Sequence, residues 1–137
     1  MLSSYPATPD VTRGKILVAD DEAEICDLLR EFLMGKGYEV ITVVSGEEAL
    51  VKARQERPDA ILLDVRMPDM SGLDVLRAIR AMGKAVYVVM VTALDDKAIR
   101  QEALRLGADD YVTKPFRLRD LEARLASRSR ADQAWAG

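Results

Sequence analysis

Two sequence patterns alternate five times along the chain, and this alternation constrains the fold more than any other feature. Short apolar runs, often β-branched, are each followed by a stretch whose apolar residues repeat at helical spacing. The runs lie at 15–19, 39–44, 60–63, 86–91 and 111–113. Because helices separate them, these strands cannot pair as hairpins, so the sheet is expected to be parallel with right-handed crossovers.

Capping residues mark where the helices begin. Ser45, with Glu48 three residues later, has the capping-box pattern that opens a helix. Ser71 is expected to open the third helix, and Asp95 or Asp96 the fourth. Five buried strands with helices on both faces favour an α/β fold of the flavodoxin-like, doubly wound (βα)5 type, with strand order 2-1-3-4-5.

One domain accounts for most of the chain, because 137 residues suit a single compact unit. Residues 1–14 are rich in Ser, Pro, Thr and Gly and are predicted to be a flexible N-terminal arm. Residues 15–127 are predicted to form the domain. Residues 128–137 are predicted to be a C-terminal tail or a truncated linker.

The composition excludes several classes of function. The chain has no histidine, which rules out Ser-His-Asp and Cys-His catalysis and most zinc sites. A net charge of −3 gives no basic bias toward nucleic acid. No apolar run approaches the roughly 20 residues that span a bilayer. We therefore expect a cytoplasmic protein that binds neither nucleic acid nor a membrane by itself.

Polar residues follow the strands at the edge where parallel sheets bind ligands. Asp20 and Asp21 follow the first strand, Asp64 ends the third, Thr92 ends the fourth and Lys114 follows the fifth. Three carboxylates at one edge repel each other unless a cation lies among them or their pKa values rise. Oxygen ligands favour Mg²⁺ or Mn²⁺ over zinc, and an amine and a hydroxyl suit the oxygens of a transferred phosphoryl group.

Each of these residues also has an ordinary structural explanation. Asp21 with Glu24 would serve as a helix cap, Thr92 as a strand residue bonded to backbone, and Lys114 as a solvated surface charge. Their joint placement at the ends of the appropriate strands favours a functional site.

The same residues resemble the receiver domain of two-component response regulators, from about residue 15 to residue 127. The motifs that carry the resemblance are Asp20-Asp21, Asp64-Val65-Arg66-Met67-Pro68-Asp69-Met70-Ser71-Gly72, Thr92-Ala93 and Lys114-Pro115-Phe116.

The resemblance implies a phosphoacceptor and a metal site. Asp64 would be the nucleophile that accepts the phosphoryl group. Asp21 and Asp64 would bind Mg²⁺ or Mn²⁺ directly, Asp20 would bind it through a water, and the backbone carbonyl of Arg66 would complete the site.

The resemblance also implies a phosphoryl-binding group and a switch. Thr92 and Lys114 would bind the phosphoryl group, and the small Ala93 would leave room for it. Thr92 and Tyr111 would form the switch, which changes the face made by helix 4, strand 5 and helix 5.

The function implied is that of a phosphoacceptor switch in a two-component phosphorelay. Asp64 would be phosphorylated by a sensor histidine kinase or a phosphotransfer protein. The chain would not be an enzyme beyond its own phosphorylation and dephosphorylation.

The subtype resembled carries winged-helix DNA-binding effectors and dimerises through helix 4, strand 5 and helix 5. Arg100 with Asp120, and Asp110 with Arg124, stand where intermolecular salt bridges of that dimer would form. A phosphorylation-dependent homodimer is therefore expected, although such charges are otherwise solvated and contribute little. The chain would be a stand-alone receiver, a domain of a longer regulator, or part of a hybrid kinase.

Other functions remain as alternatives. A haloacid-dehalogenase-like aspartyl phosphotransferase or phosphatase also uses an Asp after a parallel strand, but it usually has a second Asp two positions on, where Arg66 stands. A flavin or nucleotide binder would need a glycine-rich loop after strand 1, where two acids stand instead. The last alternative is an interaction module that is never phosphorylated.

Overall fold

The structure is a computed structural model that describes residues 12–136, with side chains described as far as residue 128. Ten elements alternate along it: β1 (Lys15–Ala19), α1 (Ala23–Gly35), β2 (Glu39–Val43), α2 (Gly46–Glu56), β3 (Ala60–Leu63), α3 (Gly72–Ala81), β4 (Tyr87–Thr92), α4 (Lys97–Arg105), β5 (Asp110–Thr113) and α5 (Leu118–Ala136). Residues 1–11, where most of the expected N-terminal arm falls, lie outside the described part.

The strands form one parallel sheet in the order β2-β1-β3-β4-β5, which confirms the expected doubly wound fold. Successive strand side chains point to opposite faces, so each strand supplies both sides of the core. Leu17 packs in a cluster on one face, and Ile16 and Val18 pack in a cluster on the other. Each large apolar side chain buried in this way stabilises the fold by about 1.5–3 kcal/mol.

The helices begin at the expected caps. The Ser45 hydroxyl accepts a hydrogen bond from the N–H of Glu48, and Ser71 and Asp96 cap α3 and α4. Asp96 rather than Asp95 is the cap of α4, since its carboxylate accepts from two N–H groups of the first turn.

The ends of four elements differ from the sequence expectation. β2 ends at Val43 rather than Val44. β4 spans Tyr87–Thr92 rather than 86–91, and the Val86 carbonyl that precedes it accepts from the guanidinium of Arg80. β5 begins at Asp110, which pairs with Val89. α5 continues to Ala136, so residues 128–136, which were expected to form a tail or linker, have a helical backbone.

The chain is also anchored before β1. The N–H of Arg13 donates to the Gly37 carbonyl at 3.0 Å, and the Arg13 guanidinium lies 3.2 Å from the carboxylate of Glu122 on α5. Residues 12–14 of the expected arm therefore contact the domain. Within residues 12–136, none of the helices combines the length and the apolar character that crossing a bilayer demands.

Candidate functional site

Asp20 lies in a turn that is held from three sides. Its N–H donates to the Val43 carbonyl at 3.1 Å, its carbonyl accepts from the thiol of Cys26 at 3.3 Å, and its Oδ1 accepts from the N–H of Glu22 at 2.9 Å. The residue is 3% exposed. The carboxylate is therefore fixed at the carboxyl end of β1 with its second oxygen directed away from the turn.

Asp64 follows β3, the neighbour of β1. Its N–H donates to the Ala19 carbonyl at 3.0 Å, and its Oδ1 accepts from the N–H of Arg66 at 3.1 Å. Like Asp20, it is almost fully buried. The sheet order therefore places two buried carboxylates side by side, as the topology predicted.

Lys114 follows β5, the strand at one edge of the sheet, and its side chain reaches these carboxylates. Its Nζ lies 2.8 Å from Asp20 Oδ2, 2.9 Å from Asp64 Oδ2 and 2.9 Å from Glu22 Oε1. Its side chain is 11% exposed. One ammonium group thus compensates two buried carboxylates, so it is not the solvated surface charge that the alternative interpretation required.

The pKa values reflect this crowding. Burial raises the pKa of Asp20 above its ordinary range, and the hydrogen bond from Lys114 offsets part of that effect. Burial alone would lower the pKa of Lys114, but its hydrogen bonds to Asp20, Asp64 and Glu22 together raise it. The lysine is therefore charged at neutral pH.

Four acidic residues meet at this edge: Asp20, Asp21, Glu22 and Asp64 each offer a carboxylate oxygen, and these oxygens lie within 4.8 Å of one another. Two of the residues are buried and two are exposed, a mixture that suits a cation which keeps some of its waters. The donors are all oxygen, which fits Mg²⁺ or Mn²⁺. Asp21 does not cap α1: the N-cap residue is Glu22, whose side chain makes no capping hydrogen bond.

Glu22 is a member of this site that the sequence analysis missed. It stands at the start of α1, where an exposed acid is common. The signal was the run of three consecutive acids after β1, Asp20-Asp21-Glu22. Its side chain is 60% exposed, so its contact with Lys114 is the weakest of the three.

Thr92 and Tyr111 are linked through the backbone of Leu94. The Thr92 hydroxyl, which is fully buried, accepts from the N–H of Leu94 at 3.3 Å. The Tyr111 hydroxyl donates to the Leu94 carbonyl at 2.7 Å, and the residue is 4% exposed. In this structure the Thr92 hydroxyl is therefore hydrogen-bonded within the loop that follows β4, and Tyr111 is buried.

Ala93 lies at the wall of an open groove beside the carboxylates. The groove has a volume of about 460 Å³ and is lined by Glu22, Ile25, Leu28, Ala93, Lys114, Pro115, Phe116 and Leu118. The groove therefore opens beside Lys114, whose side chain is largely buried.

The four residues expected on a dimer face make the following contacts within one chain, and their intermolecular pairing stays a prediction. Asp110 and Arg124 form an ion pair with each other inside one chain. The guanidinium of Arg100 stacks 4.8 Å from the ring centre of Tyr111 and lies 3.6 Å from Asp95, while Asp120 is exposed at the start of α5.

Comparison with known proteins gives a consistent result. The family model of the response regulator receiver domain matches residues 16–126. The alkaline phosphatase synthesis transcriptional regulatory protein PhoP of Bacillus subtilis is 47% identical over 81% of this chain and 46% of PhoP. The DNA-binding response regulator MtrA of Mycobacterium tuberculosis is 41% identical over 88% of this chain and 53% of MtrA. The chain therefore spans about half the length of these curated relatives.

Solved structures agree with the sequence comparison. A CheY-like response regulator receiver domain protein from Methanospirillum hungatei has a TM-score of 0.84 and 30% identity, covering 90% of this chain and 98% of its own. The BeF3-activated receiver domain of DrrB has a TM-score of 0.77 and 35% identity, covering 85% of this chain and 96% of its own.

Proposed function

The chain belongs to the family of response regulator receiver domains, and on that premise we propose that this phosphoacceptor switch is phosphorylated on Asp64. The observation that carries the proposal is the convergence of Lys114 on Asp20 and Asp64 at the carboxyl edge of the sheet. The acidic cluster and the family support Mg²⁺ or Mn²⁺ as the cofactor.

Asp20, Asp21, Asp64 and the backbone carbonyl of Arg66 would hold the cation, with Asp20 acting through a water. Bound there, it would neutralise charge on the carboxylates and on the phosphoryl oxygens. Glu22 is a further candidate, because its carboxylate belongs to the same cluster.

The chain's own groups would carry the transfer. A carboxylate oxygen of Asp64 forms a bond to phosphorus as the bond between phosphorus and the donor's leaving group breaks. Asp64 needs no separate general base, because a carboxylate attacks in its ionised form. The Nζ of Lys114 moves from the carboxylates toward a phosphoryl oxygen, and Thr92 donates its hydroxyl to another. The small Ala93 leaves this side open to the donor.

The link through Leu94 supports a route from Asp64 to the switch. When Thr92 turns its hydroxyl toward the phosphoryl group, it gives up the hydrogen bond with the N–H of Leu94. Leu94 also holds the Tyr111 hydroxyl, so both residues of the switch respond to one loop. The guanidinium of Arg100 on the Tyr111 ring extends this coupling to α4. Such a local change biases a two-state element.

The decisive experiment is incubation with phosphoramidate or acetyl phosphate and Mg²⁺, followed by intact-mass measurement. We expect the mass of one phosphoryl group to be added to the wild type, and none to be added to Asp64→Asn or in the presence of EDTA. The matched control is Asp74→Asn, because Asp74 is an exposed acid on α3 that pairs with Arg77. An unmodified wild type, or a modified Asp64→Asn variant, would contradict the proposal.

A phosphatase assay on the same protein distinguishes the haloacid-dehalogenase-like alternative from a receiver. A phosphatase releases many phosphate ions per chain from a generic phosphate ester, whereas a receiver accepts one phosphoryl group and later hydrolyses it. The family comparison gives the enzyme no support, and we expect self-phosphorylation and self-dephosphorylation only.

The partner that phosphorylates Asp64 is proposed to be a sensor histidine kinase or a phosphotransfer protein. The open groove beside Lys114 and Ala93 would admit a donor to the site, and its other walls are largely apolar. The cytoplasmic location expected from the sequence stays a prediction.

A homodimer of the phosphorylated form is proposed on the α4–β5–α5 face. Arg124 and Asp110 already pair within one chain, so an intermolecular pair would replace an internal one with little net gain. Reversal of the charge is costly, however, because like charges then face each other across the interface. We expect Arg124→Glu to weaken the dimer of beryllofluoride-treated protein about tenfold or more, which corresponds to about 1.4 kcal/mol.

Sedimentation at micromolar protein concentration measures this effect. Arg77→Glu is the control, because Arg77 lies on α3 and pairs with Asp74. A wild type that stays monomeric after beryllofluoride treatment would contradict the dimer, and an equal effect of the two variants would contradict the assignment of this face.

A further inference from the structure

The segment that follows Asp64, residues 65–71, forms a loop between β3 and α3 whose base is closed. The N–H of Gly72 donates to the Val65 carbonyl at 2.7 Å, and the N–H of Arg66 donates to Asp64 Oδ1 at 3.1 Å. We call residues 65–71 the phosphoacceptor loop. The start of this loop, at Arg66, is therefore hydrogen-bonded to the carboxylate of Asp64.

The tip of the phosphoacceptor loop is attached to a different element, helix α2. Asp69 Oδ1 accepts from the N–H of Gly46, and its Oδ2 accepts from the N–H of Glu47, both at 2.8 Å. These N–H groups belong to the first turn of α2, where a helix has no internal acceptors for them and where an anion is favoured. The two bonds lower the pKa of Asp69, so it is ionised at neutral pH.

Packing reinforces the same attachment. Gly46 has no side chain, and a Cβ at this position would lie 2.3 Å from Cγ and 2.9 Å from Sδ of Met70. The Met70 side chain therefore occupies the space that any other residue at position 46 would fill. The loop tip is held to α2 by two hydrogen bonds and one close packing contact.

Two different side chains cap the first turn of α2. The Ser45 hydroxyl, from the residue that precedes α2, accepts from the N–H of Glu48. Asp69 reaches the two preceding N–H groups from a loop more than twenty residues further along the chain. Loss of either cap weakens the start of α2, but loss of Asp69 alone also releases the phosphoacceptor loop.

We propose that Asp69 is a positioning residue for phosphorylation, which holds the phosphoacceptor loop against α2 so that Arg66 is correctly placed at Asp64. The proposal rests on the function proposed above, since Arg66 is there a metal ligand through its carbonyl and a hydrogen-bond donor to Asp64. Release of the tip would let residues 65–71 move relative to the carboxylate. Small displacements of positioning groups cost rate without changing any reacting group.

The test compares Asp69→Ala and Asp69→Asn with Ser45→Ala. Asn keeps the size of Asp but offers one acceptor to two N–H groups, so it should behave like Ala. We expect both Asp69 variants to be phosphorylated by phosphoramidate about three- to tenfold more slowly than the wild type. We also expect both variants to bind Mg²⁺ more weakly in the absence of any phosphodonor. This binding is measured as the Mg²⁺ concentration that half-saturates the chemical-shift changes of the amide resonances at the site.

Ser45→Ala is the control. It should lower the thermal midpoint of unfolding as much as Asp69→Ala does, but it should keep the wild-type phosphorylation rate and the wild-type affinity for Mg²⁺.

Mg²⁺ binding by the folded protein separates positioning from stability, because a merely structural cap does not alter it. If Asp69→Ala keeps the wild-type rate and Mg²⁺ binding, the inference is wrong. If Ser45→Ala is impaired as strongly as Asp69→Ala, the effect arises from α2 and the inference is also wrong. In both cases the wild type would still be phosphorylated on Asp64. Failure of the proposed function would instead appear as a wild type that gains no phosphoryl group.

Discussion

Replacing Lys114 with methionine is expected to destabilise the folded chain by about 3–5 kcal/mol in the absence of a divalent cation. The ammonium group contacts Asp20 and Asp64, whose side chains are 4% and 5% exposed. Methionine fills a similar volume but leaves two buried carboxylates facing each other without a counter-charge. We expect phosphorylation of Asp64 to slow by about a hundredfold as well, because a phosphoryl oxygen loses its cationic partner.

The loss of stability should depend on pH and on Mg²⁺. The raised pKa of Lys114 means that its stabilising contribution is complete below the ordinary pKa of lysine and is lost as the pH rises through the folded-state pKa. The raised pKa of Asp20 acts in the same sense at lower pH, because its proton is bound more tightly in the folded state and stability therefore falls as the pH rises through its titration. In the variant, protonation of Asp20 in acid relieves the repulsion between the two carboxylates. The variant should therefore differ from the wild type more at neutral than at acidic pH. Added Mg²⁺ should restore part of the lost stability.

Urea denaturation at two pH values, with and without Mg²⁺, measures these effects. Lys52→Met is the matched control, because Lys52 lies on α2 and forms no ion pair among the described residues. Equal stabilities of Lys114→Met and Lys52→Met at neutral pH without Mg²⁺ would show that the ammonium group does not compensate the buried acids.

The fold was predictable because buried strands and amphipathic helices each leave a regular pattern of apolar residues in the sequence. Strand residues such as Ile61 and Leu62 point to opposite faces and are both buried, so an uninterrupted apolar run is the signature of a covered parallel strand. Element ends were less predictable. Val86 and Tyr87 both suit a strand, but β4 begins at Tyr87, and the Val86 carbonyl accepts from the guanidinium of Arg80, a contact from another element that the local sequence does not indicate.

The extension of α5 was missed for a related reason. Residues 128–137 are small and polar, which indicated a tail, yet alanine and arginine are also among the best helix formers. Without an apolar stripe, the sequence offered no sign that the helix continues.

The site was predictable where topology alone brings residues together. Asp20, Asp64 and Lys114 follow strands that share one edge, so no knowledge of side-chain conformation was needed. The roles of Leu94 and Gly72 were not visible, because both act through the backbone. Leu94 carries the link between Thr92 and Tyr111 on its N–H and carbonyl, which any residue type would provide.

Replacing Gly72 with alanine is expected to destabilise the chain by about 3 kcal/mol and to reduce phosphorylation of Asp64 by about a hundredfold. A Cβ at position 72 would lie 2.0 Å from the carbonyl oxygen of Asp64 and 2.9 Å from the Cα of Val65. These are backbone atoms, so no side-chain rotation relieves the overlap. The start of α3 and the end of β3 must move apart, which breaks the hydrogen bond from the N–H of Gly72 to the Val65 carbonyl.

Gly35→Ala is the matched control, since a Cβ at the last residue of α1 meets nothing within 4 Å. It should leave the phosphorylation rate unchanged and should keep or slightly raise stability, because alanine lowers the entropy of the unfolded chain. Thermal unfolding and the rate of mass gain with phosphoramidate measure both variants. Steric displacement of the phosphoacceptor requires that Gly72→Ala lose rate at temperatures where it is fully folded. A folded Gly72→Ala that is phosphorylated as fast as Gly35→Ala would show that the site tolerates separation of β3 and α3.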